Sequence, residues 1–350
     1  VYNTNIAYID KSNFNSNVAT NVGGALRNLE GTIKITDSTF AYNSAQGSGG
    51  AIYNTGTLYL SDANVEHNTG VYGGAIYNSG TAYISDTNFT DNTATNNGGA
   101  IYNSGDLYLT ADSQNITFSG NTPNDIINQG IITLRTNAEK SITFNGKIAD
   151  LGTPAGTTNL SGMGTVIFTD RVTQKNLNLL SGTMRLTADN ILDATNTNLS
   201  GGTIDTQTNA FETQALRNLT VADTINWLID VDLANKQGDI LSATSISGEG
   251  KIDINNINML SDSDYYHSYI TVGSDAIISA IKTTLQNVVT DNYVYGIEYL
   301  DTTGQLHFVR QDLLNLVIAV RDGVTGNSYI LTGDEDIADE LLHYTDDATV

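Results

Sequence analysis

One six-residue string constrains the fold of this chain more than any other feature of its sequence. The string GGAIYN begins at Gly49, Gly73 and Gly98, and a diverged copy, GGALRN, begins at Gly23. Successive copies therefore start 26, 24 and 25 residues apart. A period between about 20 and 50 residues is the signature of a repeat architecture, in which each unit buries its apolar face against its neighbours. The chain has to be interpreted as stacked units before any single motif is given a function.

Each unit contains three short strand patterns separated by turn residues. In residues 57–68, TLYLSDANVEHN, Leu58 and Leu60 share one face and Tyr59 takes the other, the period-two pattern of a half-buried strand. A second short strand includes Val65, and GGAIYN supplies the third. Three strands and three turns in about 25 residues predict an all-β fold, a right-handed parallel β-helix of the pectin-lyase-like kind. Leucine-rich repeats have a similar length, but their LxxLxL signature does not occur.

Two further recurrences fit such a coil. Every coil has to repeat the same tight corner, and glycine reaches positive φ without steric cost, so we expect positive φ at the glycine pairs, Gly74 included. The alanine that follows each pair is expected to face the narrow interior. An apolar residue is also followed three positions later by Asn, at Phe14/Asn17, Phe40/Asn43, Val65/Asn68, Phe89/Asn92 and Phe118/Asn121. This pattern predicts stacked rings inside the solenoid and a ladder of Asn side chains bonded along its axis.

Gly-Gly-Ala-(Ile/Leu) combined with Phe-x-x-Asn at one period resembles the repeats of chlamydial polymorphic outer membrane proteins and related autotransporter passengers. The resemblance covers residues 1–121. It implies export and display on the surface of a Gram-negative-type bacterium, or secretion, and often adhesion to a protein or glycan of a host or neighbouring cell. It also implies a signal peptide before Val1 and a membrane β-barrel after Val350. The sequence is thus expected to be a fragment, attached to the outer membrane only through that barrel.

Four segments are expected along the chain. Residues 1–121 form regular repeats, 122–224 degenerate coils, 225–311 a junction and capping β region, and 312–350 a C-terminal tail. In the third segment, which holds the only Trp, helical spacing after a Ser predicts a short helix over 274–285. Residues 293–311 predict a hairpin with DTTG at its turn. The tail predicts a strand within 313–323 and a short terminal amphipathic helix over 334–344.

Composition excludes several classes of function. The chain has 38 acidic and 15 basic residues, a formal charge of −23, which disfavours nucleic acid as a partner because phosphate backbones would be repelled. The absence of Cys excludes disulfides, Cys-ligated zinc and thiol catalysis. Four His residues (His67, His267, His307 and His343) lie far apart in sequence without metal-ligand spacing, and no nucleophile elbow or phosphate-binding loop occurs. We therefore predict no catalytic residue, no metal and no cofactor.

Two columns of tyrosine form the candidate binding surface. Successive units bring to equivalent outward positions Tyr8, Tyr59, Tyr83 and Tyr108 in one column and Tyr2, Tyr53, Tyr77 and Tyr102 in the other. Tyrosine supplies large rigid area with a polar tip, as protein- and glycan-binding surfaces do. The simpler interpretation is that tyrosine stacks on tyrosine to stabilise neighbouring strands.

A row of aspartates is a candidate Ca²⁺ edge. Asp10, Asp37, Asp62 and Asp86 recur at nearly equivalent turn positions, and stacked coils would place their carboxylates about 4.8 Å apart. The favoured interpretation is an ordinary solvated turn, because Asp is a common turn residue.

The leading hypothesis is a non-enzymatic surface passenger that serves as an adhesin or display scaffold. One alternative is a β-helix polysaccharide lyase or hydrolase, which needs basic residues beside its carboxylates, whereas Arg27 and Lys34 each stand alone among tyrosines. The other is a phage-tailspike-like fibre, whose coils are usually less regular than these.

Overall fold

The repeat forms a parallel β-solenoid with three long ladders; the coils up to residue 149 contribute a strand to all three, and later coils contribute to the second and third. A computed structural model describes residues 1–263, 265–311, 318–321 and 328–331. Strand order within each ladder follows chain order and the pairings between coils are parallel, with register shifts at Gly70–Tyr72 and within Ile225–Asp232. The all-β solenoid predicted from the repeat is confirmed.

The strands that share a ladder occupy equivalent positions in successive coils. The first ladder contains Tyr2–Asn3, Leu26–Asn28, Ile52–Asn54, Ile76–Asn78, Ile101–Asn103, Ile126–Asn128 and Ile148–Ala149. The second contains Ile6–Asp10, Thr32–Thr36, Thr57–Ser61, Thr81–Ser85, Asp106–Ala111, Ile131–Thr136, Thr157–Gly162, Asn176–Leu179, Asn196–Leu199, Thr213–Val221, Ile240–Ser247 and Gly273–Asp275. The third contains Asn13–Asn15, Thr39–Ala41, Asn64–Glu66, Asn88–Thr90, Ile116–Ser119, Ser141–Phe144, Thr165–Phe168, Thr183–Leu186, Thr203–Asp205, Ile225–Asp232, Ile252–Ser261 and Ile281–Thr283. A short fourth ladder before the glycine corner contains Val18–Ala19, Ser44–Ala45, Thr69–Tyr72 and Thr93–Asn97.

The two glycines of each corner are required for different reasons. The first glycine of the pair has positive φ, as at Gly73 with φ 67°. Gly74 does not, so the expectation of positive φ there is wrong. A Cβ on Gly74 would instead lie 2.2 Å from the carbonyl oxygen of Gly99 in the next coil, which no real side chain tolerates. The next residue, Ala75, is fully buried, as expected for a narrow interior.

Both predicted stacks inside the solenoid are present. Phe14 stacks on Phe40 with ring centroids 4.7 Å apart, and the series resumes beyond Val65 at Phe89. It continues one coil at a time through Phe118, Phe144 and Phe168. Four amides of the Phe-x-x-Asn positions donate Nδ2–H to Oδ1 of the next Asn in the series at 2.8–3.1 Å, from Asn17 through Asn43, Asn68 and Asn92 to Asn121.

A second amide ladder runs through the Asn that ends each GGAIYN string. Asn28, Asn54 and Asn78 are fully buried, and each donates to the next Asn at 2.7–2.8 Å. The Asn at the end of each GGAIYN string recurs in the sequence, but only the Phe-x-x-Asn ladder was predicted from it. Because buried polar groups need partners, the two ladders fix the register of the coils as well as filling the interior.

The C-terminal coils pass into a four-stranded antiparallel sheet, ordered His267–Thr271, Gln305–Gln311, Val294–Leu300 and Asn287–Val289. The hairpin predicted over 293–311 is confirmed by the pairing of its two long strands. The helix predicted over 274–285 is wrong. Ile281–Thr283 pairs with Ile252–Ile254, which leaves a single 3-10 turn at Ile278–Ala280.

The rest of the cap is made of short antiparallel pairs. Gln237–Gly238 folds back on Ile225–Asp232. In the tail, Ile318–Arg321 pairs with Ser328–Leu331, which confirms a strand within the predicted 313–323. The helix predicted over 334–344 lies outside the described residues. None of the described residues forms a helix with the length and apolarity that crossing a bilayer requires.

Candidate binding surface

The outer face of the second ladder presents one of the two predicted tyrosine columns. Strand register places Tyr59, Tyr83 and Tyr108 side by side in consecutive coils. Their ring centroids are 4.9 and 4.8 Å apart and the planes differ by 11° and 12°. Lys34 takes the same position one coil earlier, with its Nζ 5.2 Å from the ring centre of Tyr59, close enough for a cation–π contact.

Stacking determines which part of each ring solvent can reach. Tyr59 and Tyr83 are 39% and 38% exposed, and their faces lie against neighbouring rings. Solvent therefore meets mainly ring edges and phenolic hydroxyls. The column presents polar tips and weakly positive edges to a ligand, rather than a row of open aromatic faces.

A shallow groove of about 280 Å³ runs beside this column. Its opposite wall is a column of hydroxyl side chains two residues further along the strands, Thr36, Ser61, Ser85 and Thr110. Lys34 is the one basic side chain in its lining, and this lining of described residues contains no carboxylate and no imidazole. The groove thus presents phenol and aliphatic hydroxyl groups and one ammonium group as hydrogen-bonding groups.

The second tyrosine column, on the first ladder, is less accessible than predicted. Tyr53, Tyr77 and Tyr102 stack at 5.0 and 5.2 Å, and all three are half-buried. Tyr72 covers Tyr102 edge-on at 5.5 Å, and burial raises the pKa of the Tyr102 hydroxyl. Tyr2, the first member of the column, is 63% exposed, so the accessibility of the column falls along the chain.

The aspartate row is shifted from its predicted alignment. Asp37, Asp62 and Asp86 share one corner, each with φ near 50°, but Lys11 occupies that position in the first coil and Asp10 lies one residue earlier. Burial and the charges of Asp86 and Asp37 raise the pKa of Asp62. Burial alone would raise the pKa of Asp86 too, but hydrogen bonds from residues 112–114 hold it below its usual range. Those bonds make Asp86 a cap for the next turn.

Two clusters in the cap were missed because long-range folding alone brings them together. His267 and His307, which the sequence separates by 40 residues, lie with Nδ1 and Nε2 2.9 Å apart. His307 Nδ1 is 3.1 Å from Glu298 Oε1, and its ring stacks on Tyr269 at 4.4 Å.

The second cluster consists of Glu212, Asp230 and Asp239, buried where the solenoid meets its cap. The sequence offered one signal for these contacts: the predicted 293–311 hairpin places His307 and Glu298 on the same face. It offered none for the other residues of the two clusters.

Comparison with known proteins connects the regular coils to one family. The Chlamydia polymorphic membrane protein repeat matches residues 37–55 and 86–104. Each match begins at an aspartate of the row described above, Asp37 or Asp86, includes one Phe-x-x-Asn motif and ends one residue after GGAIYN. The chain therefore contains this family's repeat, as its motifs indicated. No match was found among curated proteins.

Proposed function

We propose that this protein is the surface-exposed passenger of an autotransporter-like outer membrane protein, and that it binds ligands without catalysing a reaction. The family repeat and the β-solenoid support a surface scaffold. The groove between the tyrosine and hydroxyl columns is the observation that supports adhesion, because it lies within the coils that carry the repeat.

The chemistry of the groove favours an extended, hydroxyl-rich glycan as the ligand. Hydroxyl groups recur once per coil on both walls, so an extended chain could be bound by the same contact several times over. A net charge of −23 disfavours anionic polymers. A protein surface on a host or neighbouring cell is the other candidate ligand, and the same experiment separates the two.

The non-enzymatic assignment rests on what the groove lacks. A polysaccharide lyase or hydrolase needs acid–base groups at the bond to be cleaved, usually carboxylates, and a lyase of this fold also needs Arg or Lys beside them. The described lining contains Lys34 and three tyrosines but no carboxylate. A tailspike-like fibre is the alternative scaffold, and a monomer in solution would argue against it.

Replacing Tyr59, Tyr83 and Tyr108 together with Phe tests the groove while keeping the rings stacked. We expect binding of cells and of immobilised neutral glycans to be lost, with an unchanged Tm, because only the hydroxyl tips are removed. The matched control replaces Tyr53, Tyr77 and Tyr102 with Phe and should bind as the wild type does. Wild-type binding by the first variant would place adhesion elsewhere, and loss of binding to protein-coated but not glycan-coated surfaces would identify a protein ligand.

A further inference from the structure

We propose that Glu212, Asp230 and Asp239 bind a divalent cation of the calcium type at the junction between solenoid and cap. One carboxylate oxygen from each residue lies within 4.8 Å of the other two. The three residues are 4%, 0% and 0% exposed. The inference does not depend on the adhesive function proposed above.

Three different segments contribute the carboxylates. Glu212 lies just before the strand Thr213–Val221, Asp230 near the end of Ile225–Asp232, and Asp239 directly after Gln237–Gly238. The backbone N–H groups of Glu212 and Asp230 both donate to Asp239, each at 2.8 Å. The carboxylates are therefore oriented by the fold itself, which is what a preorganised binding site requires.

The charge of the cluster has no basic partner. Among the ion pairs of the described residues, none includes Glu212, Asp230 or Asp239. Neutral donors surround the carboxylates instead, including Thr206 Oγ1 at 2.6 Å from Asp239 and the N–H groups of Thr208 and Asn209 at 2.7 Å from Asp230. Three buried negative charges are costly to hold together without a counter-ion.

One oxygen of the cluster is left free for a ligand. Glu212 Oε1 accepts a hydrogen bond from Thr208 Oγ1 at 2.5 Å, whereas Glu212 Oε2 is buried and accepts no hydrogen bond from a neutral donor. The carboxyl group of Asp239 lies close enough to share a proton with Glu212, so either a proton or a cation has to separate the two groups. A cation coordinated by Oε2 would satisfy that oxygen and would offset the repulsion among the three carboxylates at the same time.

The donor set favours Ca²⁺ over other common metals. All three proposed ligands are hard carboxylate oxygens, and no nitrogen or sulfur donor belongs to the cluster. Carboxylates from three separate segments suit the flexible coordination of Ca²⁺ with six to eight oxygens better than the strict octahedron of Mg²⁺. For an extracellular module, dissociation constants of about 10⁻⁴–10⁻³ M are typical. Bound Ca²⁺ would tie the last coils to the first hairpin of the cap.

The single Trp gives a direct optical test. Trp227 Nε1 donates to Thr206 Oγ1, which in turn donates to Asp239, so the indole lies two hydrogen bonds from the proposed site. Tb³⁺ bound there should emit when Trp is excited at the red edge of its absorption, where Tyr contributes little. Ca²⁺ should then displace Tb³⁺ and quench that emission. We expect the full 350-residue chain, first stripped with EDTA, to gain about 2 °C in Tm at a Ca²⁺ concentration of roughly ten times Kd.

Glu212→Gln should weaken Ca²⁺ binding by at least about tenfold. Asp223→Asn removes one exposed charge from the same region and should leave binding unchanged. If Glu212→Gln does not fold, Ca²⁺ titration of the wild-type chain by calorimetry still decides the question. Absence of Trp-sensitised emission together with a Tm unaffected by Ca²⁺ would overturn the proposal, and a proton shared between Glu212 and Asp239 would then be the occupant.

Discussion

Asn68→Ala tests whether the buried amide ladder holds the coils in register. The Asn68 side chain makes four hydrogen bonds, each 2.9 Å long. Its Nδ2 donates to Phe40 O and Asn92 Oδ1, and its Oδ1 accepts from both the backbone N–H and the Nδ2 of Asn43. Every side-chain bonding group of a fully buried amide is therefore used. Truncation to Ala removes all four bonds and leaves their partners in the interior.

The expected loss in the free energy of unfolding depends on which hydrogen-bond partners of Asn68 find no other partner after the substitution. Asn43 Nδ2 keeps its bond to Phe14 O, and Asn92 Oδ1 keeps the backbone N–H of Asn68. The carbonyl of Phe40 lies in the strand Thr39–Ala41, which pairs with Asn64–Glu66, so the backbone N–H of Asn43 is the group left without a substitute. One buried group gives a loss of about 1–3 kcal/mol.

Asn17→Ala is the matched control. Asn17 ends the same ladder but is exposed, and its side chain makes one bond, from Nδ2 to Asn43 Oδ1, beside a backbone N–H bond to the same oxygen that Ala keeps. Water can replace the side-chain bond, so we expect a loss below about 1 kcal/mol. Because coils of a solenoid can open locally, amide hydrogen exchange over residues 64–72 should be measured beside urea unfolding. Equal effects of the two substitutions would refute the reasoning, since burial of the ladder would then contribute nothing.

Two further perturbations probe the corner and the end of the ladder. Gly74→Val should lower the urea midpoint sharply through the clash with the Gly99 carbonyl, and an unchanged midpoint would mean that the coils can separate there. Asp125 accepts the last amide of the ladder, and burial raises its pKa to about 6, above the value of 3.8 for a free side chain, so its folded form holds its proton longer. Its contribution is complete below about pH 3 and is lost as the pH rises through 6, so the stability of Asp125→Asn relative to the wild type should increase by about 2 kcal/mol between pH 4 and 7. A flat difference across that range would contradict the assigned pKa.

The regular coils could be predicted from sequence because every local signal in them has the same period. Glycine pairs, Phe-x-x-Asn and alternating strands all specify one register, so the Phe and Asn stacks followed directly. The aspartate row was misaligned by one residue at Asp10, because Asp10 and Asp37 are 27 residues apart whereas the paired strands of these two coils are offset by 26.

Prediction failed where pairing partners lie far apart in sequence. Residues 274–285 have helical spacing, but open strand edges at Leu241–Ala243 and Ile252–Ile254 pair with this segment and override its propensity. The His267–His307 contact and the cluster of Glu212, Asp230 and Asp239 depend on the same kind of pairing. No local pattern marks them, because their members lie on strands or loops that meet only after the cap has formed.

The outward column of the second ladder shows whether the fold itself requires aromatic residues at this position. After Tyr108 the column continues as Thr133 and then as asparagine at Asn159, Asn178 and Asn198. These asparagines bond to one another along the axis at 2.7 and 2.6 Å, so the coils stack without any ring at that position. An aromatic column is therefore not a requirement of the fold. Its confinement to the coils that carry the family repeat, beside a column of hydroxyl groups, is therefore the reason that we propose a binding role for it.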